Sequence, residues 1–503
     1  MFQVAELGQS VPDHEYKQRI RELWPRLLSL QRDLRTQGKS QVLIDFAGVR
    51  GAGKSETVNL LNTWMDARWI TTHGFDPEVE SEAVRPRMWR YWMRLPPRGQ
   101  VGLFLSGRYT PLLLDRVYGR IDEDEFLRHI RRINIFEQKL ATDGALILKF
   151  WMHIDRATQE QRLRRLEQDP DNHWRVTETD WKHFELYDRF IEVSEQIIAT
   201  TGTGHAPWQI VEATDPNHRS LHVAESVSRQ IERHLKRVEA LEEYRKVLSG
   251  YGDHHESEND ARPARLFDAL DLTLDLPQEE YESVLAAFQS RLGRLQHRAM
   301  KQGQSVVLVF EGPDASGKGG AIRRMTQAMD ARGFKVHPFS APTDEELRHH
   351  YLWRFWRCIP RNGRFAIFDR SWYGRLLVER VEGLADDEDW RRAFREINEF
   401  ERQLVNHGIV LLKFWVHIDE EEQLERFRAR EEKPHKQWKL TEEDWRNRAR
   451  WDEYLDAAQD AVSLTDRRDA PWVLVEGNSK RHARIKVLQH TCEALERALD
   501  AGS

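Results

Sequence analysis

At 503 residues the chain is too long for one ordinary domain and fits two of roughly 250 residues each. Its composition, 40% apolar and 32% charged with a mean hydropathy of −0.72, is that of a soluble globular protein. No apolar run approaches the ~20 residues needed to span a bilayer, so no membrane-spanning helix is expected.

The start, Met1-Phe2-Gln3-Val4-Ala5-Glu6, lacks the basic stretch and apolar core of a signal peptide, and a cytoplasmic address is expected. Cys358 and Cys492 are too few for a disulfide framework or a zinc site and read as plain thiols. Neither a nucleic acid nor a membrane is expected as a partner, and the sequence leaves open whether the chain forms a homo-oligomer.

In chain order, the apolar run Val42-Leu43-Ile44 precedes Gly48-Val49-Arg50-Gly51-Ala52-Gly53-Lys54-Ser55, a full match to the Walker A pattern G-x-x-x-x-G-K-[ST]. Phe104-Leu105-Ser106-Gly107-Arg108-Tyr109 and Lys149-Phe150-Trp151-Met152-His153-Ile154-Asp155 follow, then a segment carrying Arg162, Arg164, Arg165 and Arg175. The polar stretch from Ser249 to Asp260 has the composition of a linker.

Beyond it the same text recurs. Lys318 follows Lys54 by 264 positions, and that offset also pairs Lys149–Asp155 with Lys413–Asp419, Trp174 with Trp438, Asp180-Trp181 with Asp444-Trp445, and Glu212 with Glu476. One ungapped spacing from Gly48 to Glu212 marks a duplicated domain. The organisation expected is a domain over residues 1–248, a linker over 249–261 and a second domain over 262–503. In the second copy Ser305–Glu311, Arg364–Phe368, Ile409–Trp415 and Trp472–Val475 are short apolar runs, read as buried parallel strands, with polar helix-length segments between them. The fold expected is α/β, a mostly parallel sheet flanked by helices, with ligands at the carboxyl ends of the strands.

Gly312-Pro313-Asp314-Ala315-Ser316-Gly317-Lys318-Gly319 lies between the first of these strands and a helix opening at Gly320, the context a phosphate-binding loop requires. Gly319 replaces the usual Ser/Thr metal ligand, and Asp314 inside the loop is the candidate to take over metal contact. Asp369, at the end of the second strand in Phe368-Asp369-Arg370-Ser371-Trp372-Tyr373, stands where such folds hold Mg²⁺. Arg426, Arg428, Arg430, Lys433, Lys436 and Lys439 concentrate cations beside the loop, as a lid closing over phosphates would. The first copy has Arg50 for Asp314, Leu105 for Asp369, Ser106 for Arg370, and Leu166, Asp169 and Asn172 opposite Arg430, Lys433 and Lys436. Phosphoryl transfer depends on a metal and on cations at developing charge, so the second copy is expected to work and the first to be degenerate.

Together with Glu346–Arg354, Pro360-Arg361-Asn362-Gly363 and Lys436–Thr441, these motifs resemble the polyphosphate kinase 2 family, over residues 265–495 and, more weakly, 1–235. The two-domain arrangement is similar to its class II members. The resemblance implies a thymidylate-kinase-like P-loop fold, inorganic polyphosphate as donor, AMP as acceptor and Mg²⁺ as cofactor. It implies that Asp314 and Asp369 hold the metal, that Lys318 and Arg370 bind the transferred phosphate, and that Arg426, Arg430, Lys433 and Lys436 contact the phosphate chain or the nucleotide. The phosphate- and nucleotide-binding set is completed by Gly312, Ala315, Ser316, Gly317, Gly319, Arg354 and Arg375. A protein kinase is excluded by the absence of H-R-D and D-F-G motifs. Three readings stay open at this point: an ATP-dependent nucleoside monophosphate kinase, a polyphosphate-dependent kinase preferring a nucleoside diphosphate, and a non-catalytic phosphate-binding scaffold.

Overall fold

A computed structural model describes residues 1–249, 266–432 and 440–501. The described residues form two compact units, one built almost entirely from residues before 250 and the other from residues after 265. Residues 250–261 of the expected linker lie outside the described residues, and the helix before them continues through Ser249.

In the first unit the strands are β1 (Val42–Gly48), β2 (Ile70–Gly74), β3 (Val101–Leu105), β4 (Leu146–His153) and β5 (Trp208–Glu212), in the sheet order β2-β3-β1-β4-β5. All pairings are parallel, with Val42 opposite Val101 on one side and Leu146 on the other. The helices that matter below are α1 (Asp13–Gln37), α2 (Lys54–Trp64), α3 (Glu123–Thr142), α4 (Arg156–Gln168), α5 (Glu178–Glu185) and α6 (Pro216–Ser249).

The second unit repeats this plan with β6 (Val306–Glu311), β7 (Phe334–Pro338), β8 (Phe365–Asp369), β9 (Val410–His417) and β10 (Trp472–Glu476), in the order β10-β9-β6-β8-β7. Its helices are α7 (Gln278–Gln302), α8 (Lys318–Thr326), α9 (Asp387–Asn406), α10 (Glu420–Glu431), α11 (Glu442–Ala449), α12 (Trp451–Thr465) and α13 (Lys480–Ala501). Both sheets are the parallel α/β arrangement of a P-loop kinase, as expected. The sequence reading found four strands in this unit and missed β7. Its Phe-Lys-Val-His-Pro is partly exposed and carries a proline, which only an edge strand tolerates.

β6 is central and buried along its whole length. Val306, Leu308 and Phe310 share one core with Leu292 and Leu295 of α7, Ile322 and Met325 of α8, and Val487 and Leu495 of α13. That parity sends Val307, Val309 and Glu311 to the opposite face of the sheet. There Lys413, fully buried, gives its ammonium to Glu401 Oε2 at 2.8 Å and to the Thr465 carbonyl at 2.7 Å, and Tyr373 donates to Glu401 Oε1 at 2.7 Å. Lys149 repeats this in the first unit with Glu137 at 2.9 Å and the Thr201 carbonyl at 2.6 Å. A buried charge must be paired, and this pair is kept in both copies, so it belongs to the scaffold. One exchange is compensated within the first copy. Arg108 stands for Trp372 and Asp45 for Val309, and the two meet at 2.9 Å, buried beside Glu137.

Candidate active site

The C-terminal phosphate-binding loop hangs between β6 and α8. Gly312 has φ +137°, and a Cβ there would run into the Val416 carbonyl of β9, so only glycine lets the chain leave the strand this closely. Gly317, at φ +112°, caps α8, which opens at Lys318. The α8 N-terminus and the loop amides make an anion-binding end of the helix. Lys318 is buried and donates to the carbonyls of Gly312 at 2.6 Å and Pro313 at 3.0 Å. Burial pushes its pKa down against the pull of Asp314.

Asp369 ends β8 and is paired in register with Phe310. The next residue, Arg370, turns the chain with φ +64° and sends Nη2 to Asp314 Oδ1 at 2.7 Å. The other oxygen of Asp314 accepts from Asn447 Nδ2 of α11 at 2.8 Å, and Tyr454 donates to Asn447 Oδ1 at 2.9 Å. Burial opposes the Asp314 charge, but Arg370 and Lys318 outweigh it and hold the carboxyl below its ordinary pKa. Burial likewise opposes the charge on Arg370, and Asp314 and Glu443 more than offset it. Beneath them Glu311, the last residue of β6, is buried and pushed up to about 7 by that burial, against a hydrogen bond from Ser371.

These groups open onto a cavity of about 810 Å³. Asp314, Ala315, Ser316, Gly317, Lys318, Gly319, Asp369, Arg370, Arg426 and Arg430 all line it, so most of the expected set comes together. Gly312 lines instead a smaller cavity of about 80 Å³ walled by Trp415, Trp451 and Tyr454, which shares Asp314 and Arg370 with the larger one.

Three expectations need correction. Arg426, expected to contact the phosphate chain or the nucleotide, spends its guanidinium on the protein: Nε on the Glu422 carboxylate, and the two terminal nitrogens on the carbonyls of Ala315 at 2.8 Å, Ser316 at 2.7 Å, Gly477 at 2.6 Å and Asn478 at 2.9 Å. Arg162 does the same for Gly51 at 2.6 Å and Thr214 at 2.7 Å in the other copy, so this arginine ties the loop to α10 in one copy and to α4 in the other. Arg354 and Arg375 do not line the large cavity. Arg354 is held by Glu346 at 3.3 Å and the Ser340 carbonyl at 3.2 Å, and Arg375 by Glu379 at 2.9 Å. Lys433 and Lys436 lie outside the described residues.

The sequence reading also missed cations. Arg323 and Arg324 of α8 and Lys480 and Arg484 of α13 line the large cavity. Arg323, Arg324 and Arg484 have no carboxylate partner among the described residues, and Arg484 only donates to the Tyr281 hydroxyl at 3.3 Å. The 264-residue offset was the signal that could have found them: the first copy has Asn59, Leu60, Pro216 and Ser220 in these places, all uncharged.

The N-terminal loop keeps the backbone form, with Arg50 and Leu105 in the places of Asp314 and Asp369. Lys54 donates to the carbonyls of Gly48 and Val49, both at 2.8 Å. Burial, together with Arg50, pushes its pKa down to about 7. Arg50 turns to Asp180 at 2.6 Å.

A family model described as polyphosphate kinase 2 matches residues 10–239 and again 275–501. The chain is 44% identical over 499 residues to a polyphosphate:AMP phosphotransferase of Pseudomonas syringae pv. tomato, and 45% identical over 499 residues to one of Pseudomonas aeruginosa, covering 99% of each chain in both cases. It is 35% identical over 470 residues to a polyphosphate:AMP phosphotransferase of Acinetobacter johnsonii, covering 92% of both. A crystal structure of polyphosphate kinase 2 from Pseudomonas aeruginosa superposes with a TM-score of 0.87 at 42% identity and covers 99% of both chains. With the family model matching both halves, the chain belongs to the polyphosphate kinase 2 family and carries two copies of its domain.

Proposed function

We propose that the C-terminal copy transfers the terminal phosphoryl group of inorganic polyphosphate to AMP, yielding ADP and a chain one phosphate shorter. One observation carries this reading: a P-loop lysine, Asp314, Asp369 and Arg370 share a cavity with three arginines that have no carboxylate partner among the described residues. A nucleoside triphosphate presents three phosphates; this cavity presents cations beyond the loop, on α8 and α13, as a longer polyanion requires. Chain phosphates rest against Arg323, Arg324, Lys480 and Arg484, with Arg430 of α10 lining the same cavity.

Lys318 and the loop amides hold the transferring group, and Arg370 meets charge as it develops on that group's oxygens. The attacking AMP phosphate is already an anion, so no side chain has to remove a proton. Asp314 and Asp369 are hard oxygen donors on one wall, and Mg²⁺ is commonly held by one or two carboxylates plus substrate phosphates, so the pair fits that ion. Asp314, whose two oxygens each accept one hydrogen bond, from Arg370 and from Asn447, would keep lone pairs for it. The chemistry this ion supplies is neutralisation of charge on the phosphates.

A cytoplasmic address belongs to the same proposal. It is supported by two free thiols, Cys358 and Cys492, and by the absence, among the described residues, of any helix long and apolar enough to cross a membrane. The decisive assay offers purified protein AMP and Mg²⁺ with either long-chain polyphosphate or ATP. ADP formation from polyphosphate supports the reading, and activity with ATP alone refutes it.

A further inference from the structure

Glu311 and Ser371 are each only 4% exposed, and the Ser371 hydroxyl donates to Glu311 Oε1 at 2.8 Å. The bond joins the strand that launches the phosphate-binding loop to the turn that presents Asp369 and Arg370. That turn is already held by its backbone, since Arg370 N donates to the Phe310 carbonyl at 3.1 Å. The N-terminal copy provides an internal control. Ser106, in the place of Arg370, keeps the left-handed backbone with φ +55°, and its N still donates to the Phe46 carbonyl at 3.3 Å. Yet Glu311 and Ser371 have become Ala47 and Gly107 there. The fold therefore makes this turn without the side-chain bond.

A buried carboxylate with one hydroxyl donor is a cost to stability, which the copy lacking Asp369 and Arg370 does not carry. Residues lost together with the site, at positions the turn itself does not need, point to work in the site. We infer that Glu311 and Ser371 are a positioning pair for phosphoryl transfer, fixing the Asp369–Arg370 turn against the loop so that both side chains face the transferring group. The pair touches neither substrate; it acts through Arg370 and Asp369. This inference rests on the reaction proposed above.

The test measures kcat, both KM values and Tm for wild type, Ser371→Ala, Glu311→Gln, Glu311→Ala and the double variant Glu311→Ala/Ser371→Gly, which carries the side chains of the first copy. Loss of the bond is expected to lower kcat tenfold to a hundredfold with KM for AMP and polyphosphate within twofold, because misplacement by a fraction of an ångström acts on the transition state. Glu311→Gln still accepts from Ser371 and should recover much of the loss seen in Glu311→Ala. The double variant should be no slower than the worse single one, and the Tm of the Glu311→Ala protein should match or exceed wild type. Wild-type kcat in folded Ser371→Ala and Glu311→Ala proteins overturns the pair, as does a loss of kcat that only tracks a falling Tm. If wild type itself makes no ADP from polyphosphate, the proposed reaction fails instead, so the two failures are distinct.

Discussion

The Arg219 guanidinium lies 3.4 Å from the Glu56 carboxylate, over Gly53 of the N-terminal phosphate-binding loop. Glu56 sits in the first turn of α2, where a helix welcomes a negative charge, and so supplies from within the chain what a phosphate would supply from outside. The C-terminal copy has Gly320 and Ala483 at these two positions, which leaves its loop open to the large cavity. Calorimetry with tripolyphosphate is expected to give one site per chain, lost in Lys318→Ala and kept in Lys54→Ala. A second site that disappears with Lys54→Ala would show the first loop to be accessible.

Asp369→Asn is expected to lower the rate roughly a thousandfold or more, since loss of one of the two carboxylates proposed to hold Mg²⁺ costs several kcal/mol of transition-state stabilisation. The residue is at a strand end and only half-buried, so Tm should move by no more than a few degrees. Rate and melting curve measured on one preparation decide the matter; near wild-type turnover removes Asp369 from the site.

Arg484→Glu should raise the KM for long polyphosphate and flatten its dependence on salt, because each phosphate neutralised by the protein releases counterions on binding. Arg430→Glu, in the same cavity, should do the same. The KM for AMP, a small dianion, should change far less in either variant. Initial rates against polyphosphate at several ionic strengths give both slopes, and parallel salt slopes in wild type and variant would deny these arginines contact with the chain.

His417 ends β9 with its ring stacked on Phe267, centroids 4.9 Å apart, and burial pushes its pKa down to about 4 against Asp419 and Asp268. Its unfolded value is about 6.5, so between pH 6.5 and 4 the unfolded chain takes the proton first. The stability tied to neutral His417 is complete above pH 6.5 and is lost as pH falls toward 4, on the order of 2–3 kcal/mol. Tm plotted from pH 7 to 4.5 should therefore fall less steeply in His417→Gln than in wild type; equal slopes would mean that the ring is hydrated.

The central architecture was legible in the sequence because a buried parallel strand is an unbroken apolar run, and Val306–Phe310 before a glycine loop admits few other readings. β7 was not legible, since an edge strand with one covered side has no such run. Lys318, Asp314, Asp369 and Arg370 were legible from their places at strand ends and in the loop. Arg426 shows the limit of reading charge from a list of letters: its spacing placed it on the right helix beside Glu422, while the rest of its partners are backbone carbonyls, which no sequence pattern reports. Glu311 was passed over as the tail of a strand, because its burial against Ser371 depends on a neighbour 60 residues away. Comparison of the two copies position by position recovers Glu311, Arg323, Arg324 and Arg484 alike, each charged in one copy and neutral in the other.

The central claim is that a single site, in the C-terminal copy, drives AMP phosphorylation with polyphosphate. The measurement that meets it most directly is the initial rate of ADP formation from AMP, Mg²⁺ and long-chain polyphosphate, with no ATP present, for wild type, Lys54→Ala and Lys318→Ala side by side. The expected result is a robust wild-type rate, a rate within a few-fold of it for Lys54→Ala, and none for Lys318→Ala. Equal damage from the two substitutions, or ADP appearing only when ATP is supplied, would contradict it.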